Sequence, residues 1–159
     1  MTLHRIVSGG QTGADRAALD VSLKLGFPCG GWCPADRQAD DGPLPPTYPL
    51  TELASGGYRQ RTIRNVKESD GTVLFFFASP VGGTELTLKT CIRLTKPHLL
   101  VDASDVPPSQ AAATLLKFTQ QESIGVLNVA GPSERRTPGT YSYVREVIQM
   151  LLERHRAGT

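Results

Sequence analysis

Apolar positions along the chain recur with two periods, and the two alternate. Leu3 to Ser8 is a short apolar run that predicts a strand, and Phe27 to Trp32 predicts a second. Between them Ala14, Ala17, Ala18, Val21 and Leu25 recur at helical spacing, which predicts a helix over Thr12–Gly26 with Gly26 as its terminator. Tyr58–Ser69 predicts a polar helix with Ile63 and Val66 turned inward. Gly71–Ala78 carries Val73, Leu74, Phe75, Phe76 and Phe77 in succession. A strand without polar alternation is buried on both faces, which is the signature of a parallel sheet. Helices over Glu85–Thr95, Ser109–Ser123 and Tyr141–His155 then alternate with strands over His98–Val101 and Ile124–Val129. Strands alternating with helices predict an α/β fold: one doubly wound domain over residues 1–159, its mostly parallel sheet flanked by helices. Cys33 to Gly57 alone breaks the rhythm, and this Pro-, Gly- and Asp-rich stretch reads as an irregular insert.

Composition narrows the classes without naming a function. The chain has 159 residues, 39% of them apolar and 20% charged, enough for one core without staples. Lys and Arg number 17 against 15 Asp and Glu, which excludes nucleic-acid binding through bulk charge. No apolar run approaches the ~18 residues of a membrane span, and the first residues read as a strand, not a leader, so a cytoplasmic protein is expected. The three cysteines, Cys29, Cys33 and Cys91, read as reduced thiols, and no zinc spacing is present.

Chemistry concentrates where strands end. Ser8-Gly9-Gly10-Gln11-Thr12-Gly13-Ala14-Asp15 follows the first strand, Val81-Gly82-Gly83-Thr84-Glu85 the Phe-rich strand, and Asn128-Val129-Ala130-Gly131-Pro132-Ser133 spans the end of the last. Glycines let the backbone turn sharply, and the helix that follows aims unpaired N–H groups and the positive end of its dipole at a ligand. Each loop alone is an ordinary strand-to-helix turn. Three in phase predict one phosphate-binding pocket at the carboxyl edge of the sheet, formed by Gly9, Gly10, Gln11, Thr12, Gly13, Asp15, Gly82, Gly83, Thr84, Asn128, Ala130 and Gly131. Neither the Gly-Lys-Ser/Thr of an ATPase loop nor the G-x-G-x-x-G of a dinucleotide site is present, since Gly13 is followed by Ala14 and the first loop reads G-G-x-x-G.

The opening motif Ser8 to Asp20 resembles that of the putative molybdenum carrier family. Gly30-Gly31-Trp32-Cys33-Pro34, Tyr48-Pro49-Leu50-Thr51-Glu52, Arg61-Thr62-x-x-Asn65-Val66, Ser69-Asp70-Gly71-Thr72 and Leu127 to Pro132 match in order over nearly the whole chain. The resemblance implies a Rossmann-like homo-oligomer that binds molybdenum cofactor, a molybdenum-bearing pterin phosphate, and that serves molybdoenzymes or cofactor synthesis as partners. It also implies kinship with the lysine-decarboxylase-like nucleotide phosphoribohydrolases. The family often places an Arg after the last loop's proline, where this chain has Ser133 followed by Arg135 and Arg136.

Other residues read two ways. Arg61 matches the family and is assigned to the ligand, whereas Arg59 and Arg64 read as surface. Trp32 is either a stacking platform for a pterin or base, or core. Cys33 is either a thiolate contact to molybdenum or an inert buried thiol. Asp36, Asp40 and Asp41 either start turns or hold Mg²⁺. No histidine-based site is visible, and no catalytic or metal-ligating residue is assigned. The phosphoribohydrolases carry a catalytic Glu three positions after a Gly-Thr, where this chain has Thr87, and Glu85 would project away from it. A nucleotide or free phosphate as ligand, and a phosphoribohydrolase-like enzyme, stay open as alternatives. Asp15 and Asp70 are the carboxylates placed near strand ends that would serve such an enzyme.

Overall fold

Five parallel strands form the main sheet, in the order β2-β1-β7-β5-β6, in the computed structural model, which describes residues 2–158. Met1 and Thr159, the ends of the expected domain, lie outside the described residues. The strands are β1 Arg5–Val7, β2 Cys29–Gly30, β5 Gly71–Phe76, β6 His98–Asp102 and β7 Val126–Ala130, and the helices α1 Ala14–Lys24, α2 Tyr58–Glu68, α3 Gly82–Arg93, α4 Pro108–Gln121 and α5 Thr140–Ala157. A second, two-stranded sheet pairs β3 Trp32–Cys33 with β4 Thr51–Glu52, also in parallel. The α/β fold is thus as the alternation predicts.

The Phe-rich strand explains the layering. Val73 and Phe75 pack with α1, α4 and α5, burying Ala18, Leu115, Val144 and Ile148. Leu74 faces the other way, onto Val66 of α2 and Cys91 of α3. That second face is more polar, with Thr72, Thr87, Thr90 and Asn128 all buried. The chain runs outward from β1 to β2, crosses to β5 and β6, then returns to place β7 between β1 and β5. The loops after β1, β5 and β7 thereby meet at the carboxyl edge.

Three expectations change. The strand expected over Phe27–Trp32 is split at Gly31, whose φ is +124° and where a side chain would overlap the Ser8 carbonyl. The chain turns out of the main sheet there, and Trp32–Cys33 starts the small one. The insert is therefore ordered: β4 returns inside it, and the Arg37 guanidinium donates to the carbonyls of Leu44, Pro45, Tyr48 and Leu50. The helix expected from Glu85 begins at Gly82, so Gly82, Gly83 and Thr84 form its first turn. The apolar stripe of α5 packs internally: Val144, Val147, Ile148, Leu151 and Leu152 are buried, and the Tyr141 and Tyr143 hydroxyls donate to Asp20 and to the Val106 carbonyl.

Candidate functional site

A cleft of about 500 Å³ opens at the carboxyl edge. Its walls come from four segments: Gly9, Gln11 and Asp15 after β1, Tyr58, Arg61, Thr62 and Asn65 on α2, Val81, Gly83, Thr84 and Thr87 on α3 and its approach, and Asn128 to Ser133 from β7 onward. Asp40 of the insert, with Arg135 and Arg136, completes it.

Arg61 is the centre of its electrostatics. Its Nη1 donates to the Gly9 carbonyl at 2.8 Å and stands 3.7 Å from the Asp15 carboxylate. The residue is only 7% exposed. Its Nε is buried with no hydrogen-bond partner, the one such side-chain atom among the described residues. A buried donor left unpaired costs on the order of 1–3 kcal/mol, more when charged, and an ordered water or bound ion is the usual way such a group is satisfied. Helical spacing sets Asn65 one turn on. Its side chain accepts the Trp32 N–H at 2.8 Å and donates to the Trp32 carbonyl at 2.9 Å, which fixes α2 against β3.

Asp15 sits in the first turn of α1, 8% exposed, and its carboxylate accepts the Gln11 N–H at 3.3 Å. Burial pushes its carboxyl up to about 6, against the opposing pull of Arg61 and of the N–H groups of Gln11 and Gly9. The Gln11 side chain accepts the N–H groups of Thr12 and Asp40, both at 2.9 Å, and so ties the insert to the first loop. Arg16 adds a two-pronged pair with Asp41, which holds the Asp41 carboxyl below the usual range.

The expected loop residues divide. Gly9, Gln11, Asp15, Arg61, Gly83, Thr84, Asn128, Ala130 and Gly131 line the cleft; Gly10, Thr12, Gly13, Gly82 and Trp32 do not. Gly10 turns toward Leu44 and Leu50, and Gly13 packs against the backbone of Pro132 to Glu134. Thr12 accepts the Glu134 N–H at 3.2 Å. Gly82 has a φ of +55° and abuts Arg136. Trp32 carries the Arg64 guanidinium 4.0 Å above its ring, so that face is taken.

Helix termini also differ from expectation. At α1 the N–H groups of Ala14 and Arg16 go to the carbonyls of Pro132 and Gln11, and before α5 the Glu134 carboxylate takes those of Gly139 and Tyr141. The first turns of α1, through Asp15, and of α3, through Gly83 and Thr84, line the cleft, and the Thr84 N–H goes to the Val81 carbonyl. Asp70 lies at the opposite, amino edge, where it accepts the N–H groups of Gly125 and Val126. Cys33 is buried among Leu19, Leu44 and Leu50, and burial raises its thiol. No group of three metal-ligating side chains occurs among the described residues. Thr87 faces the cleft and donates to the Gly83 carbonyl, while Glu85 pairs with Lys89 outside it. Sequence reasoning missed Tyr58, Thr62, Asn65 and Val81; their position on the helix of Arg61 and before the second glycine pair was the available signal.

Residues 6–152 match the circularly permutated YpsA SLOG family. The chain is also similar to the crystal structure of a putative molybdenum carrier protein from Syntrophus aciditrophicus SB, with 38% sequence identity, a TM-score of 0.92, and coverage of 95% of this chain and 96% of that one. No curated protein matches.

Proposed function

The chain belongs to the circularly permutated YpsA SLOG family, and we propose that it is a cytoplasmic binding protein for a phosphorylated heterocyclic ligand, molybdenum cofactor first among the candidates. The buried guanidinium of Arg61 on the cleft wall carries this reading, because it gives the cleft a desolvated cation whose Nε has no protein partner. A guanidinium is matched to phosphate oxygens, and the start of α3 adds the backbone N–H of Gly83, that of Thr84 being taken by the Val81 carbonyl at 3.2 Å. Arg135 and Arg136 extend the positive side to the rim. The volume lies within the ~300–1,000 Å³ usual for small-molecule sites.

Molybdenum cofactor as cargo fits this donor set. Guanidinium, amide and hydroxyl groups suit its phosphate and its metal-bound oxygens, and the cleft lining holds no cysteine among the described residues. The name of the Syntrophus relative supports the same ligand. Self-association, and transfer of the cargo to molybdoenzymes or cofactor-synthesis proteins, belong to this proposal.

Asp15 favours a second reading, a nucleotide N-glycosidic hydrolase. A cleft carboxyl lifted to about 6 has the protonation balance of an acid–base group. The test of the first reading is mass spectrometry of the small molecule that copurifies with the protein, with the Arg61→Met variant in parallel. A phosphorylated heterocycle retained by the native chain and lost from Arg61→Met supports it. A native chain that retains nothing and binds neither phosphate nor cofactor overturns it.

A further inference from the structure

Six large apolar side chains are exposed among the described residues, and two of them, Tyr58 and Val81, lie on the cleft. Tyr58 is 43% exposed and Val81 45%, an unusual degree for cleft-lining groups of this size. They come from different elements. Tyr58 opens α2, and Val81 caps α3 immediately before Gly82. Trp32, the ring the sequence offers for stacking, is covered by Arg64 and lies outside the cleft, so Tyr58 is the aromatic side chain that faces it.

Arg61 links the two halves of the argument. Its guanidinium carbon lies 5.3 Å from the centre of the Tyr58 ring, one helical turn back, and the same guanidinium carries the unpaired Nε. Arg61 thereby covers one face of the ring and holds it in place, while Tyr58 stays 43% exposed on the cleft. We infer that Tyr58 and Val81 form a ring subsite, which takes a planar heteroaromatic group whose attached phosphate is anchored at Arg61. This rests on the anion reading above and adds the side chains that hold the ring half of the ligand. A flat ring removes the exposed faces of both side chains from water, and stacking on an aromatic ring does not depend on the identity of the base.

Calorimetric titration with three probes separates the halves: ribose 5-phosphate, adenosine and AMP, each against the native chain, Tyr58→Ala, Tyr58→Phe and Val81→Ala. The subsite requires that AMP bind the native chain roughly tenfold or more tightly than ribose 5-phosphate. Tyr58→Ala then removes most of that gain and leaves ribose 5-phosphate within about twofold, while Tyr58→Phe keeps it. Val81→Ala removes a smaller part. AMP no tighter than ribose 5-phosphate overturns the subsite and leaves the anion reading standing. Equal loss of both phosphates in Tyr58→Ala also overturns it, since Tyr58 would then act only by holding Arg61. Adenosine binding as well as AMP keeps the subsite and overturns the anion reading. No binding by any probe overturns both. Tyr58 is half in solvent, and thermal melts of the variants verify that each is folded.

Discussion

The Arg61 side chain lies across Gly9 so closely that a methyl group on Gly9 would overlap its Cδ, and its Nη1 donates to the Gly9 carbonyl at 2.8 Å. The first loop and α2 are thus fitted to each other through the absence of one side chain. Gly9→Ala forces Arg61 out of its place, with an overpacking cost of about 1–3 kcal/mol and a loss of phosphate affinity similar to that of Arg61→Met. In an Arg61→Ala background the same change becomes nearly neutral. A denaturant-melt cycle over the four proteins checks this, and equal costs in both backgrounds would show that the two residues are independent.

Gly83 has the opposite surroundings. Nothing stands within 4 Å of a Cβ built there, and the positive φ belongs to Gly82 instead. Gly83→Val therefore folds with stability close to native, yet its side chain enters the cleft at the start of α3 and weakens phosphate binding. Unchanged affinity in a folded Gly83→Val protein, measured by equilibrium dialysis, would remove α3 from the anion site.

How far the sequence could be read follows from what each residue responds to. Val73 to Phe75 and the stripe Val144 to Leu152 state their burial in their own pattern, so the layering was legible. Gly31 was not, because its bend answers to the Ser8 carbonyl on the neighbouring strand. The early start of α3 was hidden by two glycines, whose low helix propensity costs little in a first turn. In the cleft, the resemblance singled out Arg61 among three nearby arginines, but its pairing with Gly9 spans 52 positions and leaves no local trace. Trp32 lies outside the cleft and Tyr58 on it for the same reason: Arg64 covers one ring, and only the folded α2 brings the other to the cleft.

The proposed self-association needs an exposed apolar surface, which the buried stripe of α5 does not offer. Ile92, 61% exposed, and Leu94 end α3, and the exposed Leu100 lies on β6, the edge strand of the main sheet. An uncovered edge with apolar neighbours is a pairing surface. The native chain is expected to be an oligomer by light scattering at micromolar concentration, and the double variant Ile92→Lys, Leu100→Lys a monomer. A native monomer would refute the assembly, and an oligomeric double variant would refute the surface.

Asp15 sets a pH dependence whose sign is fixed. Its folded value of about 6 exceeds the ordinary 3.8, so between those values the folded chain holds more protons than the unfolded one. This group's contribution to stability therefore falls as pH rises from about 4 to 6, then stays level, the full cost being on the order of 3 kcal/mol. Asp15→Asn mimics the neutral form. Its melting temperature should match the native one near pH 4 and exceed it by roughly 5 °C or more at pH 7 and above. The same variant should bind sulfate, a dianion over this whole range, more tightly at pH 8, since a repelling carboxylate has gone. A variant less stable than native at pH 8 would show that the ionised pair with Arg61 is net favourable.

The last prediction separates carrier from hydrolase. Cleaving the N-glycosidic bond of a nucleoside monophosphate needs a group that activates water or stabilises the sugar cation, and loss of such a group typically costs ~10²–10⁴-fold in rate. Thr87 occupies the place of the related hydrolases' glutamate, and its hydroxyl is turned to the Gly83 carbonyl. Glu85 is paired with Lys89 outside the cleft, and Asp70 is at the far edge of the sheet. Asp15 and Asp40 are therefore the carboxylates that line the cleft, and of these Asp15 is the buried one beside the anion anchor. The carrier reading expects purified protein incubated with AMP to release neither adenine nor ribose 5-phosphate above the uncatalysed background, and Thr87→Glu to gain release if the scaffold retains the hydrolase geometry. Release by the native chain that vanishes in Asp15→Asn, while that variant still binds sulfate, would make Asp15 catalytic and the protein an enzyme.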